Sequence, residues 1–154
     1  MARYDWAMCN KNTGEIQYIT RVNNTSEHSH AGFYGEYRTF QVDSEADHVS
    51  LVEETYYDYD QDKFLSRSKR PTSYYKWTEN KRWEVDEDKL MVDFRLQRLH
   101  RLAASDWTQI VDSPLTDEKK AEWVTYRQTL RDLTKNLPED FDTLDGYAWP
   151  EQPS

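Results

Sequence analysis

Apolar residues in the first half of this chain come in short runs separated by turn-forming polar stretches, whereas after Asp86 they recur at helical spacing. Tyr4 to Met8 and Glu15 to Val22 flank Asn10-Lys11-Asn12-Thr13-Gly14, whose glycine tolerates a positive φ. An opening hairpin is predicted. The polar stretch from Asn23 to Glu36, with Gly32 and Gly35, predicts a surface loop. Further strands are predicted at Tyr37 to Val42 and Val49 to Tyr57, with a turn over Asp58 to Asp62 leading into a strand from Lys63 to Arg67. Past Pro71, Tyr74 to Trp77 and Arg82 to Val85 form the clearest hairpin. If the loop between them has an odd number of residues, Trp77 and Trp83 lie opposite on one face as a cross-strand pair worth roughly 0.2 to 1 kcal/mol. The first half reads as an antiparallel β-meander.

From Asp86 onward, Val92, Leu96, Leu99 and Ala103 fall at i, i+4, i+7 and i+11, which predicts a helix of about five turns buried along that side. Asp86, Glu87 and Asp88 suit its positive dipole end, and Arg95, Arg98, His100 and Arg101 the opposite end. Asp106-Trp107-Thr108-Gln109 has a short polar cap and a glutamine able to satisfy the first amides of a new turn. Thr116, Asp117 and Glu118 start a second helix with an apolar stripe of Trp123, Tyr126, Leu130 and Leu133, ended by Pro138. The two helices should pack antiparallel with Trp107 in the corner. The tail has little periodicity, yet Phe141, Leu144, Tyr147 and Trp149 could pin it to a neighbour. The fold class expected is therefore α+β: a β-rich module over residues 1–85, a two-helix hairpin over 86–138 and an extended tail over 139–154.

Composition narrows the function classes. Among 154 residues, six Trp, eleven Tyr and five Phe make up for an apolar content of only 36%, so the core should be aromatic. A net charge of -9 disfavours nucleic acid and anionic membranes as partners. The single cysteine, Cys9, allows no intrachain disulfide, and neither a signal-like apolar start nor a run of about 18 apolar residues is present. A reducing cytoplasm is the expected site of folding.

Candidate chemistry is sparse. The sequence has no Gly-x-Ser-x-Gly, phosphate-binding glycine loop or His-Glu-x-x-His, and carboxylate pairs such as Asp58 with Asp60 or Glu84 with Asp86 are diluted by the abundance of acids. Asp58-x-Asp60-x-Asp62 imitates half of a calcium loop, but Lys63 and Lys69 stand where glycine and glutamate belong, so an acidic turn is expected. His28 and His30 could hold an axial metal in a homotrimer, or be two unpaired histidines on a polar loop. The expectation is no enzyme, no cofactor and no resident metal.

The strongest signal is a series near the end: Ser105-Asp106-Trp107-Thr108-Gln109, then Trp123-Val124-Thr125-Tyr126-Arg127-Gln128, Leu130-Arg131-Asp132 and Trp149-Pro150. It resembles the tail assembly chaperone domain of bacteriophages, from which it departs by a lengthened gap between Leu133 and Trp149. More loosely, Tyr56 to Trp83 is similar to the β-rich segment preceding such domains in tail and tail-fibre accessory proteins. The resemblance implies a non-enzymatic tail protein acting in the host cytoplasm during assembly. It would hold a fibre, baseplate or tape-measure type protein, with the N-terminal module facing the virion. Arg, Trp and Tyr are hot-spot residues, so the expected partner-binding set is Trp107, Trp123, Tyr126, Arg127, Arg131, Trp149 and Pro150. Two rival expectations stand beside it. One is a permanent subunit of the baseplate, tail tip or fibre base; the other is a glycan-binding tip protein using Trp6, Trp77 or Trp83. Self-association stays open.

Overall fold

The computed structural model describes residues 4–22, 33–43 and 45–154, which divide into two compact units, Met1–Glu84 and Val85–Ser154. The first unit carries antiparallel strands and the second carries the long helices, an α+β arrangement. His28 and His30 lie outside the described residues.

In the first unit, strands β1 (Tyr4–Asn10), β2 (Ile16–Val22), β3 (Phe33–Tyr34) and β4 (Tyr37–Val42) form a sheet in the order β2-β1-β4-β3. Sequential meander order therefore gives way to a sheet with β1 inside it, and Asp5 to Cys9 are all buried. Central strands covered on both faces lose the polar alternation of a half-exposed strand. The β1–β2 turn is set by Asn10, whose side-chain oxygen accepts from the amides of Asn12 and Thr13 at 2.9 and 3.0 Å. Gly14 follows at φ 72°, donates to the Asn10 carbonyl and accepts from the Tyr57 amide at 2.9 Å. A Cβ on Gly14 would sit 1.9 Å from the Tyr57 carbonyl oxygen, so glycine is required twice over.

The strand expected from Val49 is instead helix α1 (His48–Glu54), and only Thr55–Asp58 is extended, as β5. The reason is a cap: the Asp47 carboxylate accepts from the Val49 amide and the Ser50 hydroxyl, so the β-branched pair Val49 and Val52 is carried into a helix. β5 pairs with β6 (Lys63–Ser66) around the acidic turn, and β7 (Tyr75–Trp77) with β8 (Trp83–Val85). Tyr57 from β5 stacks on Phe40 at 3.6 Å, with Phe64 edge-on to both, over Ala7, Cys9 and Ile16. The core is aromatic, as composition implied.

Asp5, wholly buried, is held by a two-pronged Arg21 at 2.8 Å and by His48 at 2.7 Å. The Arg21 hydrogen bonds hold its carboxyl below the usual value. A carboxylate whose pKa is depressed by folding stabilises the fold above its unfolded value near 3.8, and that contribution is lost as pH falls through the lower folded value. Burial pushes the Cys9 thiol up to about 12, so its reactivity reports on opening of this unit.

Two outcomes are expected with Cys9 as the probe. Gly14→Ala should destabilise the first unit by about 2 to 4 kcal/mol, seen as faster Cys9 labelling in denaturant titrations. Asp5→Asn should be less stable at neutral pH, and labelling by a pyridyl disulfide, which reacts in acid, should show its loss of stability flattened below pH 3.8 relative to the parent.

Candidate partner-binding surface

The second unit is built on α2 (Glu87–Ala104) and α3 (Asp117–Asp132), capped by Asp86 and Thr116, whose side chains accept from the amides of Lys89 and Lys119. Arg98 reaches Thr134 and Arg127 reaches Leu102, so the helices run antiparallel. Between them, Ser105 ends α2 and Asp106–Gln109 forms a single 3-10 turn. Arg127 ties these parts together. One of its nitrogens donates to the Leu102 carbonyl at 2.7 Å and to the Ser105 hydroxyl, and the other meets the Asp106 carboxylate at 2.7 Å. Its guanidinium thus joins the Ser105 amide and hydroxyl at the Leu102 carbonyl, near a helix C-terminus, which is a cation's favoured place. Asp106 is consequently engaged by Arg127, and Gln109 donates to the Thr108 hydroxyl, rather than capping the new turn as its spacing implied. The Ser-Asp-Trp-Thr-Gln run and the arginine of the second helix form one structural clasp.

The tail forms a third layer. Phe94 is fully buried, stacked on Trp149 at 5.1 Å and met edge-on by Phe141 and Tyr147, both at 5.5 Å. The Arg101 guanidinium lies 3.8 Å from the centre of the Trp149 ring. Trp149 also packs against the cluster of Trp123, Tyr126 and Leu130. The aromatic residues of the tail thus pin it to its own unit. Pro150 to Ser154 border an open groove of 510 Å³ beside Glu122, Thr125, Tyr126 and Thr129.

This layer decides which side of α2 is inside. Leu90 and Phe94 are buried, while Val92, Leu96 and Leu99 are 59%, 48% and 58% exposed and Ala103 is exposed as well. The expectation of a helix buried along Val92, Leu96, Leu99 and Ala103 is therefore corrected. At about 100° per residue that stripe lies on roughly the opposite side from Phe94. α2 carries two apolar faces, and the tail covers the one with the larger side chain.

Of the expected binding set, Trp123, Tyr126 and Arg127 are buried, and Trp149 and Pro150 are partly buried. Trp107 is 46% exposed, edge-on to Trp123 at 6.0 Å, and Arg131 is exposed. Near Trp107 in sequence, Ile110 and Val111 are exposed too. Spacing alone could not have separated the two faces of α2. The signal that could have found the exposed one is the concentration of aromatics in the tail, which needs a surface to cover.

Residues 91–154 match the family model of the phage tail assembly chaperone protein. The matched segment takes in nearly all of α2, the clasp, α3 and the whole tail, so the tail that closes the core lies inside the family region. No curated protein and no solved structure matches the chain. The similarity supports a role in phage tail assembly. Among the described residues, no helix is long and apolar enough to cross a membrane.

The remaining candidates are accounted for locally. Lys81 bridges Asp58 and Asp60 at 2.8 and 3.0 Å, and Asp62 accepts from the Tyr57 hydroxyl, so the acidic turn carries its own cation. The Lys81 hydrogen bond holds the Asp58 carboxyl below the usual range. Glu84 pairs with Arg82 at 2.6 Å, and Asp86 is the α2 cap. Among the described residues no group of three or more His, Cys, Asp and Glu is placed to hold a metal. Trp6 and Trp77 are buried, which leaves Trp83 as the tryptophan of that trio with accessible ring surface.

Thermal melts of the full chain should separate clasp from surface. Trp149→Ala should cost about 2 to 4 kcal/mol and Arg127→Met about 2 to 3 kcal/mol, whereas Arg131→Ala should stay within about 0.5 kcal/mol.

Proposed function

We propose that the chain is a non-enzymatic tail assembly chaperone whose C-terminal unit holds another tail protein. The docking surface is the outward stripe of α2, Val92, Leu96 and Leu99, together with Trp107 and with Arg131 as a charged contact. One observation carries this reading: within the segment similar to the chaperone family, Val92, Leu96 and Leu99 of α2 lie outward although an aromatic core is available to receive them. Three aliphatic side chains about half exposed along one helix form the kind of patch that marks an interaction site. Covering an apolar surface on the partner blocks its premature association and needs no cofactor. Trp123, Tyr126, Arg127 and Trp149 serve that surface indirectly, by holding α2, the 3-10 turn and the tail in register.

Leu96→Glu with Leu99→Glu should melt within about 1 kcal/mol of the parent, because neither side chain is in the core. Supplied to a phage lacking the gene, the variant should fail to support tail assembly, and wild-type particles analysed by mass spectrometry should lack the chain. A folded variant that still yields normal tails would overturn the docking surface. Presence of the chain in purified particles at fixed copy number would favour the virion-subunit reading instead.

A further inference from the structure

The first unit carries a second site, independent of the α2 stripe. A cleft of 550 Å³ opens between the start of β2, α1 and the segment after β6, with Arg67, Lys69, Arg70 and Lys76 along it and Trp83 as its apolar wall. Four cations line it with Glu15 and Glu53, and Lys69 also pairs with Glu54 at 3.1 Å, which still leaves a local positive excess on a chain whose net charge is -9. That local reversal of sign has a built floor. The Arg67 side chain is 3% exposed, against the rings of Trp77 and Trp83 at 5.0 and 4.6 Å. It donates to Glu15 at 3.2 Å and to the Val52 carbonyl at 2.9 Å, while its buried Nε has no hydrogen-bond partner among the described residues. Arg70 is held by the carbonyls of Tyr75 and Ser73, which sets its guanidinium 5.9 Å from the Trp83 ring. The Trp83 indole N–H donates to the Ser68 carbonyl at 2.8 Å, fixing the ring. Arg67 and Arg70, positioned by main-chain carbonyls and a tryptophan ring, are preorganised for an anionic ligand, and Lys69 and Lys76 add charge at the rim.

The shape narrows the ligand further. Glu15, Ile16 and Gln17 line the cleft, and β2 is an edge strand of its sheet. Beyond Glu15, which bridges to Tyr56, no strand among the described residues pairs with its outer edge. An extended peptide can use such an edge for main-chain hydrogen bonds, which an acidic sugar or a phosphate ion cannot. We propose that this cleft binds an extended acidic segment of a partner protein, its carboxylates against Lys69, Arg70 and Lys76 and an apolar side chain against Trp83.

The test uses the full chain and a fluorescein-labelled peptide of about ten alternating glutamate and tyrosine residues, read by anisotropy. Saturable binding that weakens with salt is expected, with Lys69→Glu plus Lys76→Glu at least about tenfold weaker. The neutral pair Lys69→Gln plus Lys76→Gln should weaken it about threefold, which keeps the result readable if the charge reversal disturbs folding. The same reversal at Lys120 and Lys135, on the other unit, should leave binding within about twofold. No saturable binding, or equal binding by the Lys69 and Lys76 variants, would overturn the proposal. So would polygalacturonate competing more tightly than the peptide, which would make the cleft an acidic-glycan site.

Discussion

The stacking of Trp149 on Phe94 is the contact on which the C-terminal unit depends. Phe94 of α2 is fully buried, and the aromatic rings that meet it come from the tail. The tail returns to supply that cover with Phe141, Tyr147 and Trp149, and Arg101 closes over the last of these. Because the tail takes this side of α2, the opposite stripe of Val92, Leu96 and Leu99 has no partner within the described residues of the unit. One constraint thus builds the core and leaves the outward surface. The family match spans both parts, from α2 through the tail.

The two units manage charge and aromatic surface in related ways. In the C-terminal unit, Arg127 is buried by meeting a helix end, a hydroxyl and a carboxylate together, which offsets the desolvation of its guanidinium. In the N-terminal unit, Arg67 is buried against two indoles with a single carboxylate. Its desolvation is offset less completely, and burial lowers its pKa from the ordinary value. Both keep a buried Nε without a hydrogen-bond partner among the described residues, but only Arg67 lies along an open cleft.

What could be read from the sequence was what local chemistry decides. Asp86 and Thr116 cap the helices they were expected to start, β4 has the predicted bounds, and Trp77 meets Trp83 at 5.2 Å across the last hairpin. The acidic turn was legible because Lys63 and Lys69 break the calcium pattern. Errors arose where a distant segment decides. The face of α2 turned inward is chosen by aromatics more than 40 residues away, and periodicity registers a stripe without saying which of two is covered. At α1 the signal was present in Asp47 and Ser50 but outweighed by the β-branched residues that follow. Arg67 carried no local mark at all, since its meaning comes from rings 10 and 16 positions further on.

In the proposed docking mode α2 turns Phe94 inward and Leu96 and Leu99 outward toward a partner. Hydroxyl-radical footprinting of the chain, free and in complex with the tail protein recovered with it from infected cells, tests this most directly. Strong labelling of Leu96, Leu99 and Trp107 is expected in the free chain, with their protection in the complex and low labelling of Phe94 in both. Protection of Leu96 and Leu99 already in the free chain, or their undiminished labelling in the complex, would contradict it.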